Sequence, residues 1–306
     1  MSEERDDAFA DVTEDDLRAA FDAQDYVAED DIVTTVLLAL RLGRPLLVEG
    51  EPGAGKTELA KVLAKGFDAD LVRLQCYEGL TAENALYEWN YTKQLLAVQA
   101  GEGVDGESVF DEPYLLERPL LRALRGERPR VLLVDEVDRA DEEFEALLLE
   151  VLSDFQVTVP ELGTIRAETP PVVVITSNRT RPLSDALKRR CLYLHVSPPS
   201  FEKERAILER KVPELDAAVA AELCGLVARL REEPLRKPPG AAETIDWGQA
   251  IVSLREAADR SDPLEREEVR NTLGCLLKEV EDVERVDDDL LDALVEAAAA
   301  ARGEAD

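Results

Sequence analysis

The chain reads as an α/β fold, a three-layer core around a parallel sheet, followed by a smaller all-helical domain. Three observations lead there. Apolar runs such as Val131–Val134 and Val172–Ile175 have the length of buried strands. They alternate with helix-patterned segments, the order that produces parallel sheets. After Pro198-Pro199 the strand signals stop, while helical periodicity continues. The expected division is an acidic arm over 1–25, an α/β core over 26–198 and a helical lid over 199–306.

Residues 1–25 are Asp-rich and weakly patterned, which predicts a frayed arm or a loosely docked helix. A helix is expected from Asp30 to Gly43, then a short buried strand, Pro45–Glu49, feeding a glycine-rich loop. The next helix places Leu59, Ala60, Leu63 and Ala64 on one face and stops near Gly66, and Asp70–Gln75 is a second strand. From Glu78 to Arg128 the pattern is less regular, with a Gly-rich turn at 101–106 and a helix near Leu115–Arg125. Val131–Asp135 is a third strand and Glu142–Leu152 a helix. Phe155–Pro160 and Gly163–Ala167 read as a hairpin. Strands at Val172–Thr176 and Leu192–Val196 flank a helix over Ser184–Arg190. Helices are expected near Phe201–Lys211, Leu215–Arg231, Thr244–Ala258, Glu265–Val280 and Asp288–Ala301.

The chain has 306 residues, with 67 Asp and Glu against 36 Lys and Arg, for a formal net charge of -31. Such a surface repels phosphate backbones, so global electrostatic binding of nucleic acid is disfavoured. The acidic excess with scarce lysine resembles proteins from cells that hold molar salt, where charges are screened within about 3 Å. No apolar run reaches the roughly 18 residues that span a bilayer, and the acidic N-terminus has no signal-peptide core. A cytoplasmic protein without membrane insertion is expected. Cys76, Cys191, Cys224 and Cys275 lie far apart with no CxxC pair, and are expected as buried free thiols. The lone His195 alternates with Leu194 and Val196 and reads as a core or edge residue. Trp89, Tyr91 and Trp247 read as packing residues.

Gly50-Glu51-Pro52-Gly53-Ala54-Gly55-Lys56-Thr57 matches the Walker A pattern at each fixed position, between a strand and a helix. Glycines let successive N–H groups turn toward phosphate oxygens, and the helix that follows adds its N-terminal dipole. ATP and Mg²⁺ are the expected ligands. Nucleotide contacts are assigned to Gly50, Glu51, Pro52, Gly53, Ala54, Gly55, Lys56, Thr57 and Glu58, with Lys56 on the β- and γ-phosphates and the Thr57 hydroxyl on Mg²⁺. Val131–Val134 followed by Asp135-Glu136 is the Walker B pattern: Asp135 for Mg²⁺, Glu136 as base or orienter of the attacking water. Asp138, Asp141, Glu142 and Glu143 read as a solvated helix start. Asn178, at the end of the next strand, is a candidate γ-phosphate sensor. Lys188-Arg189-Arg190 contains a candidate arginine finger for a neighbouring subunit, Arg190 ahead of Arg189.

In this order the motifs resemble the AAA+ ATPases, and within them the MoxR class and its CoxD-like branch. The closer likeness lies in Arg73–Gly79, Ala85–Tyr91, Asp135–Ala140, Phe155–Pro160, Thr176–Thr180 and Lys237–Gly240, and it covers roughly Ile32 to Ala258. The resemblance implies an AAA+ core and a homo-oligomeric ring, commonly a hexamer, that remodels a client protein. It also implies a von Willebrand factor A-domain partner and a role in maturing molybdenum hydroxylases of the carbon monoxide dehydrogenase type. The Phe155–Ala167 hairpin would face the ring's pore, and Glu83–Arg118 would be an extra helical insertion. A nucleotide-gated scaffold with slow hydrolysis and a DNA-processing motor are the alternatives. One departure stands out. The family's sensor 2 arginine, near a Ser-Pro-Arg string, has no counterpart in Gly240–Thr244, where Arg236 and Lys237 are the nearest cations.

Overall fold

In the computed structural model, which describes residues 9, 11–100, 112–126, 128–159, 162–255 and 261–305, the first regular element is α1 (Glu14–Asp22). The Gly-rich turn expected at 101–106 and Pro160 lie outside the described residues. Two compact units are present, one of Met1–Gln24, Ala28–Gly50 and Lys56–His195, the other of Asp25–Val27, Glu51–Gly55 and Val196–Asp306.

Residues 11–25 are better ordered than the composition of the expected arm predicts. Thr13 and Asp16 form a reciprocal capping box at the start of α1, and Leu17, Ala20 and Phe21 are buried. Phe9 packs edge-on against Phe67 at 5.7 Å between ring centroids. After α1 come α2 (Asp30–Leu42), ended by Gly43 at φ 58°, β1 (Leu46–Gly50), α3 (Lys56–Gly66) and β2 (Asp70–Gln75).

The segment expected to be an extra helical insertion is mixed instead. It holds α4 (Ala82–Ala85), β3 (Tyr87–Trp89), α5 (Tyr91–Ala100), β4 (Leu115–Glu117) and α6 (Pro119–Leu124). β3 and β4 pair antiparallel, Trp89 opposite Leu115. Residues with strand propensity on both sides of the segment find each other across it, a pairing that local periodicity does not signal. Trp89 is buried and packs edge-on against Tyr87, whereas Tyr91 is exposed and is not a packing residue.

The core continues through β5 (Arg130–Asp135), α7 (Glu142–Asp154), the antiparallel pair β6 (Gln156–Val159) and β7 (Gly163–Arg166), β8 (Val172–Ser177), α8 (Asp185–Arg190) and β9 (Leu192–Val196). The five-stranded parallel sheet runs β2-β5-β8-β1-β9. Strand alternation divides its faces. Leu132, Val134, Val173, Ile175 and Leu47 join one apolar cluster with Leu120 and Leu121 of α6 and Phe144 and Leu148 of α7. The intervening residues Val131, Leu133 and Asp135 therefore face the side on which Thr57 of α3 reaches Asp135. His195 is exposed on β9, at the sheet's edge.

The second unit contains α9 (Phe201–Lys211), α10 (Ala217–Arg231), α11 (Ala241–Leu254), α12 (Arg266–Leu276), α13 (Val280–Arg285) and α14 (Asp288–Ala305). Trp247 is fully buried at its centre and donates to Thr272 Oγ1 at 2.8 Å. The helix expected over Glu265–Val280 breaks in two. Lys278 Nζ returns to the carbonyls of Gly274 and Cys275, closing α12, while Leu277 turns into the core in extended conformation. Cys76, Cys191 and Cys224 are buried, with burial pushing the Cys76 and Cys191 thiols up to about 12 and the Cys224 thiol up as well. Cys275 departs from the expectation, being only partly buried.

The docking of α1 on α3 depends on Gly66, where an added Cβ would stand 2.7 Å from Ala20 Cβ. Gly66→Val should therefore destabilise the protein by about 1–3 kcal/mol in urea unfolding, although valine is the better helix former. An unchanged midpoint would mean that α1 is not held there.

Candidate nucleotide site

In the first unit, Gly50, Lys56, Thr57, Asp135, Glu136 and Asn178 lie at the carboxyl end of the parallel sheet, where ligands bind in open α/β folds. The glycine-rich loop follows β1, Asp135-Glu136 ends β5, and Asn178 follows β8. Gly53 and Gly55 adopt φ 83° and 87°, a region that side chains rarely enter and that turns the loop's amides inward. Ala54 N–H donates to Glu51 O. Lys56 is buried, and its ammonium donates to Gly50 O at 2.8 Å, at the mouth of the loop. Pro52 is exposed, and Glu58 pairs with Lys61 along the surface of α3.

Asp135 is the hub. Its carboxylate is buried, with Oδ1 accepting from Thr57 Oγ1 at 3.0 Å and Thr176 Oγ1 at 2.5 Å. Arg73 donates twice to Oδ2, from Nε at 3.1 Å and Nη2 at 2.6 Å. Glu136 sits at φ 55°, ψ 50°, a left-handed conformation that costs a non-glycine residue of order 1–3 kcal/mol and is typical of functional positions. Thr176 Oγ1 holds the Glu136 N–H at 2.9 Å. The Glu136 carboxylate accepts from Gln75 Nε2 at 3.0 Å and Arg139 Nη1 at 3.1 Å.

Asn178 reaches the same end of the sheet through a clamp that its sequence context hides. Asp138, expected as part of a solvated helix start, is buried. Its carboxylate accepts from the N–H of Asn178 at 3.1 Å, the N–H of Thr180 at 2.8 Å and the Thr180 hydroxyl at 2.6 Å. The reason is the 3-10 turn Val137–Arg139, which bends the chain back toward β8 before α7 begins. Asp141, by contrast, caps α7 through Phe144 N–H. Burial opposes the Asp138 charge, yet the bonds from Thr180 and Asn178 hold its carboxyl below the usual range.

Arg189 and Arg190 end α8 at the opposite, amino edge of the sheet, where Leu192 N–H meets Pro45 O just before β1. A five-residue strand separates that edge from the loop by about 16 Å. Arg44 donates to the carbonyls of Arg189, Arg190 and Cys191, fixing the end of α8. Arg190 itself donates to Ser153 Oγ. Neither arginine is brought to its own subunit's phosphate loop.

Arg73, Gln75 and Thr176 are the residues that sequence reasoning left unassigned. The available signal was alternation: Arg73 and Gln75 are polar positions two apart at the carboxyl end of β2, and Gln75 lies level with Asp135 in the sheet. The lid cations are engaged within the second unit. Arg236 pairs with Glu281 at 2.6 Å, and Lys237 lies 4.0 Å from Glu243. The donor set around Thr57 and Asp135 is all oxygen, with one carboxylate. That suits Mg²⁺, which prefers hard ligands and completes its shell with phosphates and water.

Comparison with known proteins agrees with this geometry. Residues 45–191 match the family AAA domain (dynein-related subfamily). The chain is 28% identical over 246 residues to the uncharacterized protein YehL of Escherichia coli (strain K12), covering 74% of this chain and 63% of that protein. It is 29% identical over 188 residues to the uncharacterized protein YeaC of Bacillus subtilis (strain 168), covering 60% and 52%. It thus spans less than two thirds of the length of both. An uncharacterized protein of Staphylococcus haemolyticus is 25% identical, covering 84% and 94%. Two variants of Thermotoga maritima RuvB share the fold at TM-scores of 0.52 and 0.51 with 18% identity, covering 85% and 86% of this chain and 73% of each RuvB chain. The family match over residues 45–191 and the shared fold agree on an AAA-type α/β core.

The Asp138 clamp makes a pH-dependent prediction. A carboxyl held below its unfolded value of about 3.9 stabilises the fold above that pH, and the contribution is lost as pH falls through the folded value. Asp138→Asn should thus be less stable than wild type by about 1–3 kcal/mol near neutrality, and the gap should narrow below about pH 4 in urea midpoints. A gap that widens in acid would contradict the clamp.

Proposed function

We propose that the protein binds Mg-ATP at the Gly50–Thr57 loop, hydrolyses it, and couples hydrolysis to the remodelling of a client protein. The observation that carries this reading is the Thr57–Asp135 hydrogen bond beside Glu136, which brings helix α3 and the carboxyl end of β5 together. A bound Mg²⁺ would supply positive charge that offsets the charge developing during phosphoryl transfer. Thr57 and Asp135 would hold that ion. Lys56 supplies the cation for the β- and γ-phosphates. Glu136 would orient the attacking water or accept its proton, and Asn178, whose backbone N–H Asp138 holds, would act as the γ-phosphate sensor. The division into a 26–198 core and a 199–306 lid is part of the same proposal.

The placement of Arg190 and Arg189 at the sheet's amino edge supports an arginine finger acting across subunits, in a homo-oligomeric ring of MoxR type, commonly a hexamer. The strings that resemble the CoxD-like branch support a von Willebrand factor A-domain partner and a molybdenum-hydroxylase client. The acidic surface supports a salt-rich cytoplasm and weighs against a DNA motor. One observation favours the alternative of a nucleotide-gated scaffold: both site carboxylates are already engaged by arginine, Asp135 by Arg73 and Glu136 by Arg139.

Phosphate release from Mg-ATP tests the enzyme reading. Glu136→Gln should lose about 10²–10⁴-fold in kcat while still binding a fluorescent ATP analogue, and Lys56→Ala should lose binding as well. Equal turnover in wild type and Glu136→Gln would sink the proposal. In a subunit-crossing site, Glu136→Gln and Arg190→Ala proteins, each inactive alone, should recover part of the wild-type rate when mixed. Absence of recovery, with mixed oligomers verified, would remove Arg190 from the finger role.

A further inference from the structure

Arg73 has no part in the Walker pattern, yet it makes the closest cationic contact to Asp135. It comes from β2, whose carboxyl end lies level with that of β5. Nε and Nη2 both donate to Asp135 Oδ2, while Oδ1 is taken by Thr57 and Thr176. A carboxylate offers about four lone-pair positions, and all four are filled by protein donors. The guanidinium is half-exposed, at 52%, whereas the carboxylate beneath it is 4% exposed. Arg73 can therefore move into water, but Asp135 cannot.

The same guanidinium is joined to the hydrolytic acid by a single side chain. Gln75 Oε1 accepts from Arg73 Nη2 at 2.5 Å, and Gln75 Nε2 donates to Glu136 at 3.0 Å. The Gln75 amide is thus held at both ends.

We propose that Arg73 is a positioning residue that competes with the divalent cation for the Asp135 carboxylate. The inference rests on the Mg-ATP reading above. A guanidinium cannot shed its proton. A divalent ion arriving at Thr57 and Asp135 meets a fixed positive charge a few ångströms away, in a site where screening is weak. Arg73 raises the ion concentration needed to load the site. Where cation and nucleotide arrive together, it yields.

The test uses Mn²⁺ as the probe, with bound ion read by electron paramagnetic resonance on full-length protein saturated with a non-hydrolysable fluorescent ATP analogue. Arg73→Gln should lower the half-saturating Mn²⁺ concentration by about three- to tenfold. Analogue affinity in EDTA should stay unchanged. Arg73→Lys keeps the charge and should stay within about twofold of wild type. An unchanged or raised Mn²⁺ requirement in Arg73→Gln overturns the competition, as do equal shifts in the Gln and Lys variants. Weaker analogue binding in EDTA would make Arg73 a phosphate ligand and overturns it too. If wild-type protein fails to bind the analogue with or without Mn²⁺, the ATP reading itself fails. If wild type binds and Arg73→Gln does not shift, only this inference does.

Discussion

A buried carboxylate is stable only when its lone pairs are met, and Asp135 meets that requirement through three separate elements. Thr57 on α3, Thr176 on β8 and Arg73 on β2 converge on the end of β5. Removing water from an unpaired carboxylate would cost several kcal/mol, so these partners are tied to one another through it. The relative placement of α3 and three central strands follows from that demand. So does the left-handed turn at Glu136, whose N–H is held by the same Thr176 hydroxyl. Strain at Glu136 persists because the neighbours on both sides over-determine it.

The second unit shows the same logic without a ligand site. Glu204 is buried and bonded by both terminal nitrogens of Arg231 at 2.7 Å, while Thr244 donates to it at 2.7 Å. Arg231 Nε also holds Pro239 O, which fixes the turn into α11. Glu222 does comparable work between Arg302 and Leu264 N–H. Surface pairs such as Arg128–Asp68 are exposed on both sides and contribute little, about 0–1 kcal/mol. The net charge of -31 is thus a property of the surface, whereas the acids that shape the fold are few, buried and paired.

The main elements were legible because their signals are local. Apolar runs of strand length, the helix start after Gly55 and the Gly43 stop each follow from residue type and spacing. Three features were not legible, and each depends on a distant partner. α1 looks frayed by composition, but its burial depends on Gly66 leaving room for Ala20, 46 positions away in the chain. β3 and β4 are too short to declare themselves and form only by pairing. α12 ends because Lys278 turns back onto carbonyls, a choice open to any lysine near a helix end.

The sequence by itself determined the chemistry of the phosphate loop and its acids. Gly53, Gly55, Lys56, Thr57 and Asp135-Glu136 act through backbone freedom, charge and position at element ends, and those are local properties. Only the tertiary structure decided which side chains surround them. Arg73, Gln75 and Asp138 are ordinary polar residues in one dimension. They became part of the site because parallel strands set β2, β5 and β8 level at their carboxyl ends. It also decided that Arg189 and Arg190 lie at the far edge of the sheet. A strand of five residues is stiff, and it holds the two ends of the sheet apart.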